Sequence, residues 1–491
     1  MLIPLLLGCA PLSLPAQAAT QDALPIRWDA EPFVGSYRTR AGMKDLPGRL
    51  GRITVPERRD KETDGTVEIA FVVYKTENEN PLPPMIYLVG GPGGSGTEYG
   101  AFFAKHPLLS VLDYCDVIAL DQRGTGLSVP NLSEGPDLSY ELPLDVALTQ
   151  DAEERAFAAA AKRGFEYWQA KGVDLVSFNT RESAADIEDV RRALGLEKIT
   201  LWGGSYGSHL GLAYLRDHSG HVERAVLTKV EGPDHSFKLP TTVQRHLENL
   251  SEMVAADDQL GEAIPDLVGL TRGLIEQLDE EPVTVDLDHE GEDLTITLGS
   301  FDLKRELSNA MGDVRGISSI PADLYAMSQG DWSALGSAAI GSRRSEVWSM
   351  MTVMMDMASG ASPERLRRLR REAKDPANLL GDTINAPFGD LLRKAVQSPD
   401  LGAEFRSPIE SDALVLFVTG RMDVRTPPEN FEELRPGFPN HVYLDVTGVS
   451  HGSFEMLSPD YQTALKAFLS AEEVESQVIE INEMRFAPLG K

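Results

Sequence analysis

A serine, an aspartate and a histidine stand far apart in this chain, each in a setting suited to acyl-transfer chemistry. Ser205 lies in Trp202-Gly203-Gly204-Ser205-Tyr206-Gly207, a Gly-x-Ser-x-Gly segment between the β-prone run ITLW and the helix-like SHLGLAYLRDH. A tight strand-to-helix turn of this kind strains the serine backbone, lifts the hydroxyl clear, and tolerates only small residues on either side. A hydroxyl is a weak nucleophile until a base removes its proton, and the base needs an acid to hold it. Asp423 closely follows the apolar run ALVLFV, and His451 closely follows HVYLDV; of nine histidines, only His451 has this placement. Nucleophile, acid and base in that order, each just past a β-prone run, predict one catalytic triad. An acyl transfer also needs two backbone N–H groups aimed at the developing oxyanion. Tyr206 is predicted to supply one, and the GGPGGSG loop at 90–96, after MIYLV, the other. Pro92 has no N–H, which leaves Gly91 as the donor. The loop does not read as a phosphate cradle, because no Lys follows and its glycine spacing fits neither nucleotide fingerprint.

These residues require a sheet that brings distant strand ends together. Short β-prone runs at 85–89, 116–120, 199–202 and 225–230 alternate with helical spacing, as at 181–196, and two more follow at 413–418 and 441–446. The pattern predicts an α/β fold with a mostly parallel central sheet and flanking helices. Two β-rich segments joined across Asp64-Gly65 predict an opening antiparallel pair. Between the fourth and fifth of those runs the composition changes. Residues 235–405 read as a mainly helical cap inserted before the last strands, with core segments at 20–234 and 406–491 on either side. The interval holds a hairpin pattern at 283–298, the Met-rich WSMMTVMMDM at 348–357, and a helix opened by Ser362-Pro363-Glu364.

Composition bounds the partners. The 491 residues carry 46 Lys+Arg against 76 Asp+Glu, a formal charge of −30, which argues against nucleic acid and anionic membrane surfaces. The first 19 residues form an apolar run ending in Ala16-Gln17-Ala18, a small-x-small pattern that predicts a signal peptide, a mature chain from about Ala19 and export to the periplasm or beyond. A lipid anchor at Cys9 is the second version of the same expectation. Cleavage would leave Cys115 alone, in an apolar run that marks it as a small buried hydrophobe. No later stretch reaches the ~20 apolar residues of a membrane span. No metal or other cofactor is expected: there is no H-E-x-x-H, and His218 with His221 lacks further ligands nearby.

GGPGGSG (90–96), DQRGTGLS (121–128), GGSYGS (203–208), GRMD (420–423) and SHG (450–452) together resemble the successive motifs of the prolyl aminopeptidase branch of the α/β-hydrolases, which includes tripeptidyl aminopeptidases. Val89 departs from the His that many members carry before the glycines. The resemblance implies the α/β-hydrolase fold with a helical cap, and a serine exopeptidase acting on peptides with a free N-terminus. Recognition of a protonated amine calls for carboxylates near the cap, and Glu231, Asp234 and Asp356 are the candidates. Asp121 and Arg123 are expected to form an ion pair bracing the oxyanion loop. A carboxylesterase with the same triad is the alternative function, and a catalytically silent peptide-binding protein the next. The oligomeric state is not legible.

Overall fold

The computed structural model describes residues 24–39, 42–61, 65–98, 111–347, 349–452, 458–481 and 484–490, with backbone alone for 36–39 and 42–44. The leader expected over 1–19, Cys9 within it, and Asp64 of the expected turn lie outside the described residues.

In chain order the strands are β1 (Arg27–Trp28), β2 (Phe33–Thr39), β3 (Gly42–Pro56), β4 (Thr66–Tyr74), β5 (Met85–Leu88), β6 (Val117–Leu120), β7 (Ser139–Glu141), β8 (Ile199–Ser205), β9 (Val222–Val230), β10 (Val283–His289), β11 (Glu292–Leu298), β12 (Arg344–Glu346), β13 (Leu414–Gly420), β14 (His441–Val446) and β15 (Gln477–Ile479). The main sheet runs β1-β3-β4-β6-β5-β8-β9-β13-β14-β15, with β2 on β3. Every pairing from β6 to β15 is parallel, whereas β3, β4 and β6 pair antiparallel. The mostly parallel sheet and its opening antiparallel pair, β3 with β4, are as expected; β1, β2 and β15 had not been read.

The central strands β5 (MIYL) and β6 (VIAL) are apolar throughout because both their faces are covered. Alternate residues sort to opposite sides: Phe71, Val73, Ile86, Leu88 and Ile118 enter one core, while Val72, Met85, Tyr87, Val117 and Ala119 enter the other. Helices Gln150–Ala170, Thr180–Ala193 and Tyr206–His218 cover the first face, and Pro459–Leu469 covers the second. Cys115 is buried in the second core, where desolvation pushes its thiol up to about 12 and keeps it protonated.

Between β9 and β13, helices Pro240–Ala255, Leu267–Glu280, Ser300–Ala310, Val314–Ser328 and Ser333–Arg343 enclose a separate core of residues such as Leu247, Leu274, Leu303 and Leu324. The hairpin pattern at 283–298 forms β10 and β11, turning at Glu290 and Gly291 with φ of 57° and 86°. Two successive positive φ values are what a tight hairpin turn requires.

The interval 235–405 is not one body, however. Met350, Met351, Met354 and Met355, on helix Met350–Ser359, are fully buried with Leu210 and Leu227 in the core of the sheet, as is Phe405. These methionines therefore fill irregular space between the sheet's own helices, a use to which a flexible thioether is suited. Of the helix's methionines only Met357 lines the cleft described below.

Strand order reverses at β5, whose neighbours are β6 on one side and β8 on the other. Loops leaving the C-terminal ends of β5 and β8 diverge there and open a crevice.

Candidate active site

β8 ends at Ser205 and the helix Tyr206–His218 starts at the next residue. Ser205 takes φ 56° and ψ −128°, a conformation that non-glycine residues adopt only when their surroundings impose it. Pairing of β8 with β5 sets Gly203 opposite Leu88. A Cβ on Gly203 would lie 2.2 Å from the Gly207 carbonyl oxygen, and one on Gly207 would lie 2.0 Å from that of Leu88. Both obstacles are backbone and cannot swing away, which is why glycine flanks the serine on each side.

Ser205 Oγ lies 3.0 Å from His451 Nε2, and His451 Nδ1 lies 2.9 Å from Asp423 Oδ2. β13 and β14 pair in register to Gly420 and Val446, so the loops that follow them emerge side by side. Asp423 is 0% exposed. Burial alone would push its carboxyl up, but the adjacent His451 and hydrogen bonds from His451 and Thr426 hold it well below the usual carboxylate range. Its oxygens accept from the Arg425 N–H at 2.9 Å, the Thr426 N–H at 2.8 Å and the Thr426 hydroxyl at 2.6 Å. A fixed anion at Nδ1 leaves Nε2 as the basic nitrogen facing the hydroxyl. Thr426 had not been singled out; its position three residues past Asp423 was the available signal.

The glycine loop reaches the serine because it lacks side chains: a Cβ on Gly90 would lie 2.8 Å from the Gly204 carbonyl oxygen and 3.2 Å from Ser205 Cβ. Gly91 and Gly90 line the cleft beside Ser205, and the Tyr206 amide follows the serine directly. Asp121 braces this loop, accepting from the Ser95 hydroxyl at 2.8 Å, the Thr97 N–H at 2.9 Å and the Thr97 hydroxyl at 2.6 Å. The expected Asp121–Arg123 pair is corrected. Arg123 turns the other way and grips Asp186 through Nε at 2.7 Å and Nη2 at 2.8 Å. Asp121 is saturated by hydroxyl and backbone donors, which leaves the guanidinium to a carboxylate on the helix Thr180–Ala193.

Behind the serine, the Tyr206 hydroxyl meets Thr180 Oγ1 at 3.0 Å, Thr180 meets Ser359 at 3.1 Å, and Ser359 meets His209 Nε2 at 3.1 Å. This buried chain ties the nucleophile's helix to the methionine helix. Thr352 on that helix also donates to the Pro92 carbonyl at 2.5 Å.

A cleft of about 570 Å³ opens over Ser205 and His451. Glu231 and Asp356 both line it; Asp234 does not. The expectation for Asp234 is corrected: its carboxylate accepts from the Ser362 N–H at 2.5 Å and the Ser362 hydroxyl at 2.7 Å, securing the start of helix Pro363–Glu372. Glu231 is 5% exposed and lies 3.4 Å from the Lys238 ammonium. Burial pushes its carboxyl up, yet Lys238 more than offsets this and keeps it below its ordinary value. Asp356 has no ion pair among the described residues, and burial, then the nearby Glu231 charge, pushes it up to about 8. One carboxylate and one protonated carboxyl therefore face the cleft at neutral pH. Lys238, Arg305 and Arg425 also line it and had not been anticipated. Nothing in their local sequence marks them, because the topology alone brings them to the same crevice.

A family model described as the alpha/beta hydrolase fold matches residues 83–455. The tripeptidyl aminopeptidase of Streptomyces lividans is 29% identical over 196 residues, 38% of this chain and 36% of that protein. The proline iminopeptidase of Neisseria gonorrhoeae is 30% identical over 157 residues, covering 32% of this chain and 35% of that one. Serine protease Hip1 of Mycobacterium tuberculosis is 23% identical over 224 residues, 42% of each chain. The chain thus matches about a third to two fifths of the length of these relatives. Among solved structures, proline iminopeptidase from Mycobacterium smegmatis aligns over 86% of this chain and 98% of that one, at 15% identity and a TM-score of 0.42. The family match runs from the start of β5 to just beyond His451, so it takes in every strand end that meets at Ser205, and the chain belongs to the α/β-hydrolase fold family.

Proposed function

We propose that the protein is a serine exopeptidase that hydrolyses peptides from a free N-terminus, of prolyl or tripeptidyl aminopeptidase type, through an acyl-enzyme on Ser205. The observation that carries this reading is the chain Ser205–His451–Asp423, hydrogen-bonded at 3.0 and 2.9 Å on the floor of a cleft that also holds the buried carboxyl of Glu231 and the half-buried one of Asp356. The relatives named above as aminopeptidases and a serine protease support it.

Ser205 Oγ attacks the scissile carbonyl while His451 Nε2 takes its proton, and Asp423 stabilises the imidazolium that results. The Gly91 and Tyr206 amides donate to the oxyanion. Collapse expels the amine, which receives the proton from His451 Nε2, and leaves the acyl group on Ser205. Water, activated by the same nitrogen, then releases the acid. The substrate ammonium donates to Glu231 and to the carbonyl oxygen of the protonated Asp356 carboxyl, charge-assisted bonds that an N-blocked peptide cannot make.

Hydrolysis of prolyl, single aminoacyl and tripeptidyl amides, each beside its N-acetyl form and a short acyl ester, tests the assignment. Free amines are expected to be preferred, with Ser205→Ala lowering turnover by at least ~10⁴-fold. Full activity in Ser205→Ala overturns the nucleophile, and ester turnover without amide turnover replaces the peptidase with a carboxylesterase.

A further inference from the structure

The cleft is not uniformly acidic. Besides Glu231 and Asp356 it is lined by Arg305, from helix Ser300–Ala310, and by Arg425, from the loop after β13. Arg305 is already engaged: its Nε lies 3.2 Å from Glu153 Oε1, and its Nη1 donates to Asn309 Oδ1 at 2.8 Å. Arg425 is different. Its backbone N–H holds Asp423, but its guanidinium has no hydrogen bond or ion pair among the described residues. The group is partly buried over Gly312, where a Cβ would lie 2.9 Å from Arg425 Nε. Burial, then the charge of Arg305, lowers its affinity for its proton, and only Asp423, already committed to His451, opposes this. A partly buried cation without a counter-ion is a ready partner for an anion that enters the cleft.

The acids and the arginines of the cleft have different neighbours. Glu231 has Lys238 as its near neighbour, and Asp356 has Glu231, whereas Arg425 has Arg305 and Asp423. A ligand whose ammonium reaches Glu231 and Asp356 shares the cleft with a guanidinium that has no counter-ion among the described residues.

We propose that Arg425, with Arg305 behind it, forms a carboxylate-binding subsite that selects short peptides carrying a carboxylate in the portion released as the amine product. This rests on the peptidase reading above. The carboxylate is either the C-terminus of a short oligopeptide or an acidic side chain beyond the scissile bond. The first makes the enzyme a trimmer of short free peptides, because a long chain places its terminus outside a cleft of about 570 Å³.

The test uses the full chain and one peptide sequence in three forms: free C-terminal acid, C-terminal amide, and amide with Glu after the scissile bond. A neutral aminoacyl anilide serves as reference. The free acid is expected to exceed the amide by about 10-fold or more in kcat/KM, carried by KM, as befits one charge-assisted pair. In Arg425→Met the acid-to-amide ratio is expected to fall within about 2-fold of unity, whereas Arg425→Lys keeps part of the preference. Should the Glu amide alone exceed the plain amide, the source is the side chain; should the free acid alone exceed it, the source is the terminus, and should both exceed it, the subsite reads either carboxylate. Equal kcat/KM for all three forms in the unmodified enzyme overturns the subsite while leaving the peptidase intact. If no peptide is cleaved, the peptidase reading falls, and calorimetry on Ser205→Ala decides the subsite. Tighter binding of a dipeptide acid than of its amide then upholds it, and equal binding overturns it. That comparison needs no Arg425 variant to fold.

Discussion

The sharpest residue-scale consequence concerns Asp356, whose carboxyl ionises only near pH 8 in the folded protein against an ordinary value of 3.8. Between those values the folded state keeps a proton that the unfolded chain has released. Stability contributed by this group is therefore greatest below about pH 4 and is lost progressively as pH rises toward about 8. Asp356→Asn mimics the protonated form and does not titrate. Its melting temperature is expected to gain on that of the unmodified protein from pH 5 to about 8 and to run parallel above. An offset independent of pH would show that Asp356 is already ionised throughout. At the same scale, Ser205, Asp423 and His451 were legible because each sits at a strand end, in an order that unrelated loops rarely reproduce. Arg425 was not legible: a guanidinium in a loop is ordinarily solvated, and nothing in the local sequence marks its partial burial beside Gly312.

For the elements, the decisive contact is the one between β5 and the turn after β8. A methyl group on Gly207 would sit 2.0 Å from the Leu88 carbonyl oxygen, so accommodating it requires moving either β5 or the helix that carries Tyr206. Gly207→Ala is expected to cost about 3 kcal/mol or more, read from the urea midpoint, and to abolish labelling of Ser205 by an acylating probe. An unchanged midpoint would mean that the elbow is looser than drawn. The strands around this contact were legible because burial on both faces writes a continuous apolar run. β15 was missed because three residues at a sheet edge carry no such signature, and β1 was missed with only two. The Arg123–Asp186 grip was equally hidden, since it joins the loop after β6 to a helix 63 positions away. Neighbouring opposite charges at 121 and 123 suggested a local pair, but a strand end with its own backbone and hydroxyl donors had already claimed Asp121.

Across the whole molecule, Arg343 is the residue that ties the cap together. It is 0% exposed and binds Asp302 through Nη2 at 2.8 Å, with further donations to the carbonyls of Pro143 at 2.6 Å, Val146 at 2.9 Å and Thr297 at 2.9 Å. Arg343→Met leaves Asp302 buried without its counter-ion, and the loss is expected to reach about 3–5 kcal/mol. Equilibrium denaturation followed at the five tryptophans would register it, and a change below about 1 kcal/mol would mean that solvent reaches Asp302 after all. Length and composition pointed to an inserted cap; which part of the insertion serves the sheet could not be read, because apolar helices look alike whichever core they enter. The methionine helix Met350–Ser359 settles where the seam runs. Excising 235–405 would strip a wall from the sheet's own interior along with the roof over the cleft. Exchange of caps between enzymes of this kind, by recombination or by design, would have to cut near residue 347 and leave that helix behind, so the movable module is shorter than the insertion that encodes it.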